Sequence, residues 1–282
     1  MKFKVSASLT YDVRSASTLV LNIHALRTAR QTVLDEKLVV TPYLKVEELV
    51  SANGENRFAR IDVAEPGVIT IDYGALVDNC FELRDYSTFT ELPVSKFSVE
   101  VLTYLNPSRY CQSDKLYRLA NNTFGKIDNT YRQVVAITEW IHQNVEYLSG
   151  FSNSETSAYD TVTQQAGVCR DFAHLGIALC RALTIPARYF TGYAYLLYPP
   201  DFHACFEAYV GGEWILFDAT KLAPLNGLVK IATGRDAADA AIASIFGDVY
   251  CTNVKAGCAL AGDEPFEPVY YPRSVYNAVT YL

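Results

Sequence analysis

Near residue 106 the hydrophobic period of this chain changes, and neither an all-β nor an all-α fold is compatible with that change. Before it, the runs Lys2–Val13, Thr18–His24, Lys37–Val46, Arg57–Val63, Val68–Tyr73 and Phe97–Tyr104 are short, partly alternating and rich in Val, Ile, Thr, Tyr and Phe. Turn signals such as Asn53-Gly54 and Glu65-Pro66-Gly67 separate them. Strands at this spacing predict an antiparallel β-sandwich. After the change, Val134, Ile137, Ile141 and Val145 recur three and four residues apart, which predicts a helix over Thr130–Leu148. A second helical period, Phe172, Leu175, Leu179 and Leu183, follows Gly167-Val168-Cys169 and ends before Ile185-Pro186. Strand-like runs return at Ala187–Leu197, His203–Val210 and Glu213–Thr220, and Arg235–Phe246 reads as a last amphipathic helix. The chain is therefore expected to be α+β, with a β-rich unit over residues 1–106 and a mixed unit over 107–282. The tail from Asp263 carries three prolines and four tyrosines and is expected to lie against the surface.

Charge and cysteine content narrow the function classes. The net charge is −7 and no cluster of Lys and Arg is dense enough to bind phosphates, so nucleic acid is not an expected partner. No apolar run approaches the roughly 20 residues of a membrane span. The first residues, MKFKVSASLTYDV, alternate like a strand and show no apolar signal-peptide core, so the expected setting is cytoplasmic. Seven cysteines over a long chain, with no CxxC pair, argue against a disulfide framework and a zinc site. No metal or organic cofactor is expected.

The hairpin around Gly211-Gly212 yields geometry directly. A two-residue type I′ loop, which needs positive φ at both positions, pairs Val210 with Glu213, so that opposed residues sum to about 423 throughout. His203 and Asp218 then become diagonal neighbours on one sheet face, with Cβ atoms about 5–8 Å apart. A carboxylate at that distance can hold the histidine's tautomer and stabilise its protonated form, as a base serving a nucleophile requires. Cys205 and Glu207 share that face.

The nucleophile candidate is Cys169. It opens a helix, where free backbone N–H groups and the macrodipole favour negative charge, and its own N–H can donate to a developing oxyanion. Asp171, in the same first turn, is expected to complement the dipole and to meet Arg170 or solvent. His174 is the rival base. Five residues along a helix is about 500° of rotation, which turns it about 140° away from Cys169. His24, His142, Cys180 and Cys205 have structural readings, Asp160 and Asp201 read as turn residues, and Tyr193 and Tyr195 suit either a cleft wall or a sheet core.

The segment Gly167-Val168-Cys169-Arg170-Asp171-Phe172-Ala173, then Ile185-Pro186-Ala187-Arg188 and Gly192-Tyr193, then His203-Ala204, Glu207, Trp214 and Asp218-Ala219-Thr220, resembles the transglutaminase-like superfamily. The likeness covers roughly residues 130–222. It implies a papain-like core and a Cys169–His203–Asp218 triad acting through a thioester. The β-rich N-terminal region is similar to the domain that precedes this core in bacterial members. Two positions depart from the pattern. Cys205 stands where many members carry tryptophan, and Ala219 where proline is common. The second oxyanion donor is left open among Gln164, Gln165, Tyr159 and Trp140.

The resemblance implies a cysteine protease or amidase acting on a peptide or amide. It also allows a transglutaminase, in which an amine resolves the thioester, or a non-catalytic binding module.

Overall fold

The computed structural model describes residues 1–262, 264–270 and 277–281. Two four-stranded antiparallel sheets are built largely from the N-terminal third. One runs in the spatial order Val249–Leu260, Lys2–Val13, Gly67–Asn79, Gln31–Thr41; the other runs Ala243–Phe246, Ser17–Leu21, Arg57–Val63, Val46–Val50. Period two is visible along the first strand: Phe3, Val5, Ala7, Leu9, Tyr11 and Val13 are all buried, while the intervening residues face outward. Buried residues of both sheets and of the helices enter one continuous core.

Both sheets are completed from the far end of the chain: Ala243–Phe246 pairs with Thr18–Leu21 and Val249–Leu260 pairs with Phe3–Val13, and three expectations of local structure are corrected here. The C-terminal half thus supplies an edge strand to each sheet. For the same reason Arg235–Phe246 is not one helix. Only Ala237–Ala240 is helical, capped by the Asp236 carboxylate, and Ala243–Phe246 is a strand. Phe97–Tyr104 contains the short helix Val99–Leu102 instead of a strand, and its Phe97, Val101 and Tyr104, spaced four and three apart, pack on Tyr209 and Trp214. The end of the tail is core: Asn277–Thr280 pairs with Glu82–Asp85, and buried Tyr281 donates its hydroxyl to the Leu225 carbonyl at 2.6 Å. Tyr271 and Tyr276 lie outside the described residues.

The second half carries a four-stranded antiparallel sheet in the order Glu213–Phe217, Phe202–Val210, Ala187–Ala194, Leu228–Gly234. Helix Cys169–Ala182 packs on it, with Ser113–Phe124, Thr130–Asn144 and Ala158–Gln164 around that helix. Gly176 permits the close approach, since a Cβ there would lie 2.5 Å from the Phe206 ring. Helix Thr130–Asn144 is capped by the Asn129 side chain and stops at Val145, earlier than the expected Leu148. Glu146–Tyr147 then forms a two-residue parallel ladder with Ala166–Gly167. Among the described residues no helix is long and apolar enough to cross a membrane.

Candidate active site

The start of helix Cys169–Ala182 is shaped by its neighbours in sequence. Asp171 turns back so that its Oδ2 accepts the Val168 N–H at 2.8 Å, satisfying one of the backbone donors that open a helix. This requires glycine at 167, where a Cβ would stand 2.7 Å from that of Asp171. Asp171 is fully buried and Arg170 Nε lies 3.9 Å away, so its carboxyl serves the cap and not solvent. Burial pushes its pKa up against the Val168 N–H, Ser152 and Arg170. Cys169 is thereby fixed as the first helical residue, partly exposed at the helix tip.

His203 lies on the strand that packs beneath this helix. The hairpin has the register derived above, from Val210↔Glu213 to Phe206↔Phe217, with Gly211 and Gly212 at φ of 63° and 88°. The ladder ends at Phe217, and Asp218 reaches back along the diagonal so that its Oδ2 lies 2.8 Å from His203 Nε2. Its other oxygen accepts the Thr220 N–H at 2.9 Å and the Thr220 hydroxyl at 2.7 Å, which fixes the carboxylate's orientation. Both partners are out of solvent, His203 at 2% and Asp218 at 1% exposure. Burial disfavours the imidazolium, but the charge and hydrogen bond of Asp218, with Cys169 adding to both effects, outweigh it and raise the His203 pKa to about 10. Cys169 is thus a hydrogen-bond and charge partner of His203, and the structure brings the three sequence-selected residues together.

The remaining candidates sort by surroundings. His174 is fully buried, stacked on Tyr110 and tilted against Tyr189 with each centroid 5.0 Å away, and its Nε2 accepts the Ala237 N–H at 3.1 Å. Burial, then Arg170 and Arg181, hold its pKa well below the usual histidine range, so it stays neutral in the core. Cys180 is buried in the helix, and burial pushes its thiol up. Cys205 is buried among Phe190, Leu216 and Val279, its thiol raised by burial and then by Asp218 and Glu207. Tyr193 donates its hydroxyl to the Ile23 carbonyl at 2.6 Å and is core, not cleft. Tyr195 packs edge-on against Phe266. Asp201 accepts the Phe202 N–H as a turn residue would, yet it also lines the cavity beside Cys169.

One residue was missed. Opposite Gly167 in the short parallel ladder, Tyr147 comes within hydrogen-bonding reach of both the backbone N–H and the thiol of Cys169. Burial and the adjacent Cys169 push its phenol up to about 12, so it stays protonated at neutral pH. Of the aromatic candidates named earlier, Trp140 packs edge-on against Phe124, and exposed Tyr159 lies under Lys115. The sequence carries no signal for Tyr147, because the helical period predicts helix through Leu148 whereas the helix ends at Asn144.

All seven cysteines are free thiols. Among the described residues no group of three or more His, Cys, Asp or Glu side chains could hold a metal ion. A cavity of about 410 Å³ opens beside Cys169 and His203, walled also by residues of the N-terminal sheets.

Comparison with known proteins agrees with this arrangement. Residues 117–219 match the family described as the transglutaminase-like superfamily, and residues 1–100 match the bacterial transglutaminase N-terminal domain. A crystal structure from Cytophaga hutchinsonii, described as that of a candidate cysteine protease, is 55% identical over 100% of this chain and 98% of that one, with a TM-score of 0.97. The chain belongs to the transglutaminase-like superfamily. An uncharacterized protein of Mycobacterium leprae, ML0607, is 27% identical over 61% of this chain and 72% of its own length. The periplasmic domain of TgpA from Pseudomonas aeruginosa is 14% identical over 78% of this chain and 90% of that one, with a TM-score of 0.41. Within the transglutaminase-like core matched here, all three sequence-selected residues fall inside residues 117–219.

Proposed function

We propose that this protein is a thiol acyl-transfer enzyme, a cysteine peptidase or amidase that cleaves peptide or amide substrates through a thioester. The observation that carries the reading is the buried 2.8 Å hydrogen bond between His203 and Asp218, with Cys169 as the third partner. In the first half-reaction Cys169 Sγ attacks the carbonyl carbon, its proton having passed to His203. The oxyanion takes hydrogen bonds from the Cys169 N–H and the Tyr147 hydroxyl. Collapse expels the amine, which receives the proton from His203, and leaves a thioester on Cys169. In the second half, His203 takes a proton from water as it attacks the thioester. The acid leaves and the proton returns to Cys169. Asp218 holds the imidazole in the orientation both halves need.

The hydrolytic outcome is supported by the 55% identical Cytophaga hutchinsonii relative, which is described as a candidate cysteine protease. A cytoplasmic setting goes with this reading, because seven free thiols suit a reducing compartment. The test is mass spectrometry of the protein after incubation with amide and ester probes, with Cys169→Ala as control. The expected result is an acyl adduct on Cys169 that water converts to free acid. With a glutamine peptide and excess labelled primary amine, no label is expected. Label incorporation would replace hydrolysis by transamidation, and absence of any adduct on Cys169 would favour a binding module.

A further inference from the structure

The cavity beside Cys169 has a lining that the triad does not need. Helix Ala237–Ala240 and the following Ala241 present only methyl groups to it, which keeps about 410 Å³ open. The N-terminal sheets close the far wall with Leu9 and with Val254 and Ile245 at the mouth. The apolar character continues outside, where Ile245, Phe246, Tyr250 and Val254 are all exposed. Charge on the wall, apart from His203, comes from Arg170 and Asp201: Arg170 lies over the Tyr110 ring and 3.9 Å from Asp171, with its Nε and Nη2 buried and making no hydrogen bond, and Asp201 accepts the Phe202 N–H. A volume of this size fits a ligand group. An apolar rim around a pocket marks a surface that is covered in use.

The geometry points to a specificity pocket: the cavity receives a large apolar side chain, leucine- or phenylalanine-like, from one of the two residues preceding the scissile bond. This rests on the acyl-transfer reading and deepens it by naming the substrate class. Because the wall is shared, the N-terminal sheets and the C-terminal strands that complete them take part in substrate selection. The alanines set the size limit, and their methyl groups with Leu9, Ile245 and Val254 favour an apolar side chain over a charged one, whose burial against that surface without pairing is costly.

The experiment measures kcat/KM for peptidyl coumarin amides that differ only at those two residues, each being Ala, Leu, Phe, Glu or Lys in turn. The expected result is a preference of about tenfold or more for Leu or Phe over Ala, Glu and Lys at one of the two positions. In Ala241→Phe, which fills a half-buried wall position, the Leu and Phe substrates lose at least about tenfold more than the Ala substrate. Ile245→Ser, at the exposed mouth, reduces the preference in the same direction without touching the core. Equal kcat/KM across the panel, or a preference that neither variant alters, overturns the pocket while leaving the acyl-transfer reading in place. Iodoacetamide labelling of Cys169 separates the two failures. Labelling with uniform turnover removes the pocket alone, whereas an absence of turnover together with no adduct from any probe removes both.

Discussion

Tyr147 stands opposite Gly167 in a two-residue parallel ladder, and that pairing brings its phenol to the backbone N–H and thiol of Cys169. The position is 40% exposed, and its ring leans on buried Phe172 with centroids 5.8 Å apart, whereas Tyr193 is wholly enclosed. A hydroxyl held there donates to the oxyanion only once the carbonyl has been attacked, which places its effect in the transition state.

Tyr147→Phe is therefore expected to lower kcat by about 10²–10³ with little change in KM, the signature of one lost oxyanion donor. Steady-state kinetics on any cleaved amide checks this. An unchanged kcat removes Tyr147 from the mechanism and leaves the Cys169 N–H as the named donor.

The physics separates what was legible in the sequence from what was not. The hairpin could be read because Gly211-Gly212 and the period of two fix its register locally, and the observed pairs follow it to Phe206↔Phe217. Cys169 could be read because a helix start after Gly167 is also a local pattern. Arg235–Phe246 was misread because its alanines favour helix, whereas the pairing of Ala243–Phe246 with Thr18–Leu21 joins residues more than 200 apart. Tyr147 was missed for a related reason: two residues of parallel ladder leave no periodic trace.

Asp218→Asn should leave the fold intact and reduce turnover about 10³–10⁴-fold, because an amide stabilises neither the tautomer nor the imidazolium. It should also change how stability varies with pH. His203 is raised in the folded protein from 6.5 to about 10, so its contribution is fully present below pH 6.5 and is lost as pH rises through about 10. The melting temperature of the wild type should exceed that of Asp218→Asn most near pH 6, and the gap should narrow towards pH 10. A constant gap across that range would show that the Asp218 carboxylate does not hold the imidazolium.

The Glu207 carboxylate, fully buried, takes Arg188 Nε at 2.6 Å and Lys230 Nζ at 3.0 Å, while Arg188 also meets Glu55 at 2.7 Å. Burial raises its pKa, but the two cations more than offset that and hold it below the usual carboxylate range. Two positive and two negative charges balance. Glu207→Gln leaves one buried cation uncompensated and should cost about 3–5 kcal/mol. Glu207→Gln with Lys230→Met restores the balance and should recover part of the loss, which denaturant titration of the double-mutant cycle measures. Additive losses would show that the two charges do not depend on each other.

Gly176 sits where helix Cys169–Ala182 crosses the His203 strand, and a methyl group there would meet the Phe206 ring at 2.5 Å. The ring is buried and stacked on Phe217 at 5.6 Å, so it has little room to yield, and the helix must lift instead. Gly176→Ala is expected to destabilise by about 1–3 kcal/mol through overpacking. Alanine's better helix propensity, worth about 1 kcal/mol in the opposite direction, does not offset that. Because the same helix carries Cys169 at its tip and the same strand carries His203, lifting one from the other should lower kcat as well as stability. Phe206→Leu in the Gly176→Ala background gives the methyl space and should restore part of both. Recovery of stability without kcat would mean that the helix-to-strand distance does not govern how sulfur meets imidazole.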